Sequence, residues 1–453
     1  MKKIIFAFII SCIAHSSIAQ SVWNLQQCVK YAIENNLQLK QNMVNQKIAR
    51  VNYNQAQLAY LPSLTGDATQ YFSFGRSLNV TSNSYESSTS VSSNTFSLNS
   101  SIPLFAGLTK MSQLKQTELD WQASGYDAEK MKNDIALNVA AYYLSSFNAW
   151  EQLKIMKHQI EISELQKIQT QKLIKAGAMA EISIKDVEAT VANDAMNIVS
   201  AQNNYDVAIL NLKRLMNIDV SQSVNIDTTN QNISFQTAEA DMDFNRTYST
   251  AFTQQPAIKS QQLKLKSAQR NIQYYKGALL PTLSLFGSLR TSYSSAAKNI
   301  IGLDANGNFI TEKIKFENQI DKNYGKSVGF DLSIPINNGF QARSALRRSQ
   351  LQAINAKLNL QIAEKQLQQD IAQALLNVKA AAAKQEAAKA VALAQQSAFD
   401  ANTKKYDAGV INFFDFNTSK NNLTKALSDE TNAKYDYLFK IKILDFYQGK
   451  SLY

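Results

Sequence analysis

Val328-Gly329-Phe330-Asp331-Leu332-Ser333-Ile334-Pro335-Ile336 is the stretch on which the fold turns. Val328, Phe330, Leu332 and Ile334 alternate with Gly329, Asp331 and Ser333, and period two puts each set on its own face of a strand. The same writing occurs earlier, where Phe96, Leu98, Ser100 and Ile102 alternate with Ser97, Asn99 and Ser101. Ser101-Ile102-Pro103-Leu104 and Ser333-Ile334-Pro335-Ile336 stand 232 residues apart. Leu283, Leu285, Gly287 and Leu289 alternate with Ser284, Phe286, Ser288 and Arg290, and a less regular strand at 65–77 has no readable register. Segments of about ten residues with one apolar face are the pattern of strands that cross a bilayer, although a soluble hairpin lying on helices shows similar alternation. The polar stretches 78–92 and 296–323 read as turns, which places hairpins at 64–104 and 282–336.

Outward from the hairpins, helical periods take over. Leu61-Pro62-Ser63-Leu64 returns 219 residues later as Leu280-Pro281-Thr282-Leu283. Ahead of each lies a cap with apolar spacing i, i+3, i+4, i+7 and i+8: Asn24, Leu25, Cys28, Val29, Ala32 and Ile33, then Asp243, Phe244, Thr247, Tyr248, Ala251 and Phe252. Each reads as one amphipathic helix of about 35 residues that stops before proline. After the hairpins, 107–175 and 339–407 are proline-free and rich in Ala, Gln, Lys, Leu and Glu. At 1.5 Å per residue such helices extend about 100 Å and must pack along their length as coiled coils. Gly177 and Gly409 suit their left-handed ends. Return helices follow at 183–217 and 412–447, opened by the capping patterns Ser183-x-x-Asp186 and Asn412-x-x-Asp415, 229 residues apart. The plan is an internal twofold repeat: repeat 1 over 20–218, a linker at 219–242, and repeat 2 over 243–453.

Lys2, Lys3, the apolar run Ile4 to Ile10 and Ser17-Ile18-Ala19 form a signal peptide over 1–19. Ile9-Ile10-Ser11-Cys12 is a rival lipobox, so lipidation of Cys12 stays an alternative to cleavage after Ala19. The exported chain then keeps only Cys28, a small core residue, and forms no internal disulfide. The net charge of +11 falls to +9 without the two leader lysines, and the remaining lysines are scattered among Asn and Gln as a solvated face. A nucleic-acid role is excluded by the leader and by the absence of a clustered basic stripe. Past the first dozen residues no apolar run reaches the roughly 20 residues of a membrane helix. Any crossing is therefore made by strands, and open sheet edges are costly in lipid. Four strands cannot close a barrel; two chains give about eight, with little lumen, and three give twelve.

The repeat, the two Leu-Pro motifs, Ile102-Pro103-Leu104-Phe105-Ala106-Gly107, Ala176-Gly177 and Tyr406-Asp407-Ala408-Gly409 resemble the TolC-type outer membrane efflux proteins across essentially the whole exported chain. The resemblance implies an α+β membrane protein: a homotrimer whose twelve-stranded transmembrane β-barrel, four strands per chain, continues as a long periplasmic α-helical barrel. It implies a collar to which 219–242 and the extreme C-terminus contribute. It also implies a passive exit duct of a tripartite efflux or type I secretion system, for drugs, small molecules or secreted proteins. Its partners would be outer-membrane lipid, a periplasmic adaptor (membrane fusion) protein, and an inner-membrane transporter of RND or ABC type that supplies the energy. The chief competing reading is a secreted coiled-coil scaffold or adhesin, which leaves the recurring Pro-marked junctions Pro62, Pro103, Pro281 and Pro335 unexplained.

No catalytic, cofactor or metal signature is expected: His15 lies in the leader, and His158 is a lone surface or interface residue. The resemblance implies an acidic ring at the periplasmic mouth. Asp415 falls on its first acid, Thr418 replaces the second, Tyr406 matches the family tyrosine, and Ile411 stands where a gate arginine would. Asp415 equally serves as the N3 carboxylate of a helix cap. Phe413, Phe414 and Phe416 read as tip packing or as a constriction. Gly177, Gly409, Val410 and Ile411 mark the helical tips expected to meet the adaptor.

Overall fold

A computed structural model describes residues 22–79, 84–228 and 242–450. The leader with Cys12, most of the linker 219–242 and residues 451–453 lie outside it. The chain forms two compact units, and each takes segments from both halves of the sequence.

One unit comprises 1–46, 124–261 and 360–453 and is helical. Its elements are α1 (Leu25–Asn35), the start of α2 (Leu37–Leu58), most of α3 (Thr109–Lys175), α4 (Ser183–Met216), α5 (Phe244–Gln254), the start of α6 (Pro256–Gly277), part of α8 (Gln341–Asp407), and α9 (Phe413–Tyr447). A two-residue parallel pairing joins β1 (Val22–Trp23) to β4 (Asn225–Ile226). The spacing of Cys28, Val29 and Ala32 on α1 presents one stripe, which packs on Val139, Tyr143 and Phe147 of α3 and Leu212 and Met216 of α4. Val224 and Ile226, in the described part of the linker, join that core. Cys28 is fully buried, and burial pushes its thiol up to about 12. A second core sets Ala251 and Ile258 against Ile371 and Val378 of α8 and Leu444 of α9.

The helices expected to run unbroken for about 35 residues are each split in two. Asn36 is extended, with φ −63° and ψ 126°. Its Oδ1 accepts the N–H groups of Gln38 and Leu39, and its amide donates to the Leu215 carbonyl, so one Asn caps α2 and ties the break to α4. The second break falls at Gln255, also extended, because Pro256 at the first position of α6 disfavours helix at the residue before it. The long helices are as expected, each with 67 residues. Α-helical span of that length is about 100 Å.

The second unit, 47–123 and 262–359, holds an antiparallel sheet of β2 (Ser63–Asn79), β3 (Ser84–Ala106), β5 (Thr282–Ser294) and β8 (Gly325–Ser333) in the order β2-β3-β5-β8. The strands invade the expected 78–92 turn, because a backbone ladder there pairs Asn79 with Ser84 without needing apolar alternation. The expected turn 296–323 is instead a small hairpin, β6 (Lys298–Leu303) and β7 (Phe309–Lys313), followed by α7 (Phe316–Lys322). Its tip is an Asp304 carboxylate accepting from Asn306 and Asn308 N–H, with Gly307 at φ 79°. Pro62 and Pro281 immediately precede β2 and β5, and Pro335 follows β8. Pro103 is not a junction residue: it lies inside β3, opposite Ser284 and at the last position before an irregularity of the β3–β5 ladder. Strand and helix meet where Gly107, at φ 57°, approaches Gly277 so closely that a Cβ on either would sit 2.1 Å from the other's carbonyl oxygen.

Candidate functional site

The register sorts the sheet into two chemically distinct faces. Leu64 stands opposite Ser100, Leu98 opposite both Gly66 and Leu289, Leu285 opposite Phe330, and Leu283 opposite Leu332. With Phe72, Phe74 and Val328 these residues share one face. Phe74 and Val328 are each 80% exposed. A contiguous apolar face this open is of the kind that meets a membrane or another protein surface. The other face carries Thr65, Asp67, Ser97, Asn99, Ser288 and Arg290. There the Ser288 hydroxyl donates to Asn99 Oδ1 at 2.7 Å, and Asn99 Nδ2 donates to Asp67 at 3.3 Å. Phe286 interrupts this polar face by covering Gly329, which has no side chain to meet it. Strands β2 and β8 are the sheet's edges in this chain. Among the described residues no helix is long and apolar enough to cross a membrane.

The helical unit supplies the second candidate region, the turns after α3 and α8. Gly177 and Gly409 adopt φ 72° and 70°. In each turn the glycine N–H and the following N–H cap the helix: Gly177 to Ile174 and Ala178 to Leu173, Gly409 to Tyr406 and Val410 to Lys405. Tyr406 is buried, with its ring 4.9 Å from that of Phe416, which lies 5.6 Å from Phe399. Burial pushes the Tyr406 phenol up. Its hydroxyl is turned toward Thr170 and Gln166, yet the Tyr406 and Thr170 hydroxyls and the Gln166 amide nitrogen all lack a completed bond. Ile411 and Phe413 pack partly against this cluster, while Val410 and Phe414 are exposed. Asp415 is exposed, and its N–H is bound by Asn412 Oδ1 at 2.9 Å. No hydrogen bond joins Asp415 to Tyr406 among the described residues; the Tyr406 ring packs instead on Phe416, the neighbour of Asp415. Ser183 does not cap α4: the cap position is Ile182, which offers no side-chain bond.

Sequence reasoning missed the most polar feature of the helical interior. Asp194 of α4 accepts from Gln159 at 2.7 Å and from Ser163 at 2.6 Å, both on α3, and from Lys420 of α9 at 2.9 Å. Lys420 also donates to Ser163 Oγ at 2.6 Å. Desolvation pulls the Lys420 ammonium down, against the raising effect of Asp194. A signal was available: Val187, Asp194, Ala201 and Ala208 recur every seventh residue and are all buried, which makes Asp194 an acid in a core position of a heptad.

A sheet with one apolar and one polar face, in a chain that also forms two helices of 67 residues, fits the class of outer-membrane channels. The chain belongs to the outer membrane efflux protein family, whose model matches residues 28–217 and 247–446. It is 25% identical over 447 residues to the outer membrane protein TolC of Escherichia coli (strain K12), covering 97% of this chain and 84% of that one. Its fold is similar to the Campylobacter jejuni CmeC outer membrane channel, with a TM-score of 0.75, 20% identity, and coverage of 94% of this chain and 85% of that one. It is likewise similar to the outer membrane protein VceC of Vibrio cholerae, at TM-score 0.74 and 13% identity, covering 95% and 97% of the two chains.

Proposed function

We propose that this chain is one of three identical subunits of an outer-membrane exit duct. The observation that carries the reading is the four-stranded sheet, apolar on one face and polar on the other, with β2 and β8 as its edges. Unpaired backbone groups at those edges cost several kcal/mol each in hydrocarbon, and pairing β2 of one copy with β8 of the next removes the cost. Three copies give about twelve strands and an open lumen, whereas two give about eight and a filled one. The polar face then lines the passage and the apolar face meets lipid. The two sequence repeats supply equivalent hairpins and helices to this wall, and 219–242 with the C-terminus supplies its collar.

The duct is passive in this reading. A periplasmic adaptor meets the turns at Gly177, Gly409, Val410 and Ile411, and an RND or ABC transporter in the inner membrane drives drugs, small molecules or secreted proteins into it. The exposure of Val410 supports the contact. Asp415, near the same end and exposed, repeats around the axis as a candidate gate, and Tyr406, packed on Phe416, is the second candidate. Purified protein in planar bilayers tests the assignment: discrete single-channel conductance from a trimer supports it. A folded monomer in sedimentation, or recovery in the soluble periplasm, refutes it. Cysteines at 178–180 and 410–411 should crosslink to a co-expressed adaptor; links only from the segments 78–92 or 296–323 reverse the orientation.

A further inference from the structure

The side chains of Lys420 and Asp194 are 2% and 4% exposed. A buried ion pair is a poor way to gain stability, since well-packed apolar residues of similar volume do as well or better. This fold uses that apolar alternative at the equivalent positions: 229 residues from Lys420 and Asp194 stand Val191 and Leu423, and Leu423 is buried. What the charged pair supplies is discreteness. It is tolerated fully paired or fully hydrated, and any partial separation strands a charge in a dry interior.

Its position adds a second consequence. The pair ties α9 to both α3 and α4, and Asn402 of α8 donates to Ser419 beside it. Of the six buried polar side-chain atoms without a hydrogen-bond partner among the described residues, Gln166 Nε2, Thr170 Oγ1, the Tyr406 hydroxyl and Asn417 Oδ1 lie between this level and the turns, and Asn148 Oδ1 and Ser428 Oγ lie on its other side. Each gains a partner if water enters. More of these atoms lie between the pair and the turns than beyond it, so entering water gains more hydrogen bonds on the turn side, and the pair opposes separation from spreading past its level.

We propose that Lys420 and Asp194, with Ser163 and Gln159, form a positioning latch of the conduit that holds the α3–α4 and α8–α9 hairpins together at one level and confines opening to the segments between that level and the turns. The latch rests on the exit-duct reading for its role in conduction. Its mechanical content is readable without conduction.

Hydrogen exchange on the unsubstituted, detergent-solubilised protein should show a step at the latch. Amides of 164–193 and 395–419 exchange faster as a block than those of 130–158 and 424–445. Uniform protection, or a smooth gradient away from the turns, overturns the proposal. Lys420→Met leaves Asp194 unpaired, so the step should move away from the turns and single-channel conductance should rise severalfold. Asp194→Asn, which keeps the shape of the acid, should act in the same direction. The exchanged pair Asp194→Lys with Lys420→Asp should restore both readouts. Wild-type conductance and an unmoved step in assembled Lys420→Met overturn the latch. If Lys420→Met does not assemble, Asp194→Asn and the step in the unsubstituted protein decide. A folded oligomer that passes no ions at all refutes the duct, and the exchange step still decides the latch.

Discussion

The turn after α3 and the turn after α8 share a left-handed glycine and the same two capping bonds, but they enter their return helices differently. The second is closed by the Asn412 side chain and backed by Phe399, Tyr406 and Phe416. The first enters α4 through Ile182 without a side-chain bond, and Val187 occupies the place that Phe416 fills at an offset of 229 residues. Equal backbone geometry thus coexists with unequal side-chain anchoring. Backbone caps set the path of a turn, and the packing behind it sets how readily the turn opens.

Truncation of the anchors is the strongest way to break this contrast. Phe416→Ala should lower the local opening free energy of the second tip by about 3–5 kcal/mol, read from hydrogen exchange of amides 400–420. Val187→Ala, at a site 1% exposed, should cost the first tip about 1.5–3 kcal/mol. Equal losses would mean that the aromatic cluster adds nothing beyond its bulk. Gly177→Ala and Gly409→Ala should act alike, each costing roughly 1–2 kcal/mol because the left-handed conformation is retained. Unequal costs would show that one turn relaxes to another path.

The caps sharpen the comparison at a finer scale. Asn412→Ala should cost about 1 kcal/mol at the second tip, while Ser183→Ala should leave the first tip within measurement error, since Ser183 caps nothing. Smallest is Asp415→Asn, expected to cost about 0.5 kcal/mol through the helix dipole. The informative readout there is reversal potential. Loss of cation preference and of divalent block places Asp415 in the passage; unchanged selectivity reduces it to a helix-end charge.

The long helices and their glycine ends were legible because 67 proline-free residues admit few other conformations. Three of the strands were legible because alternation survives where one face must be apolar. The break at Asn36 was not, since Asn is tolerated inside helices and shows its capping role only when Leu215 lies across from it. The break before Pro256 could have been read directly from the proline. The β6–β7 hairpin was also signalled, by Asn306-Gly307 between Ile300-Ile301 and Phe309-Ile310, but its polar surroundings read as loop. Lys420 and Asp194 were hidden for a different reason. On a helix of mixed composition a charge reads as surface until the heptad through Val187 and Ala201 is followed.

The contact of Gly107 with Gly277 constrains how this molecule can vary. Each would place a Cβ 2.1 Å from the other's main-chain oxygen, so the obstacle at either position is backbone, which no compensating substitution can shorten. The two sites are therefore not a covarying pair that can drift together through complementary changes in size. In a saturation library they should appear as two independent, all-or-none positions, emptied of variants even where neighbouring Leu279 accepts many.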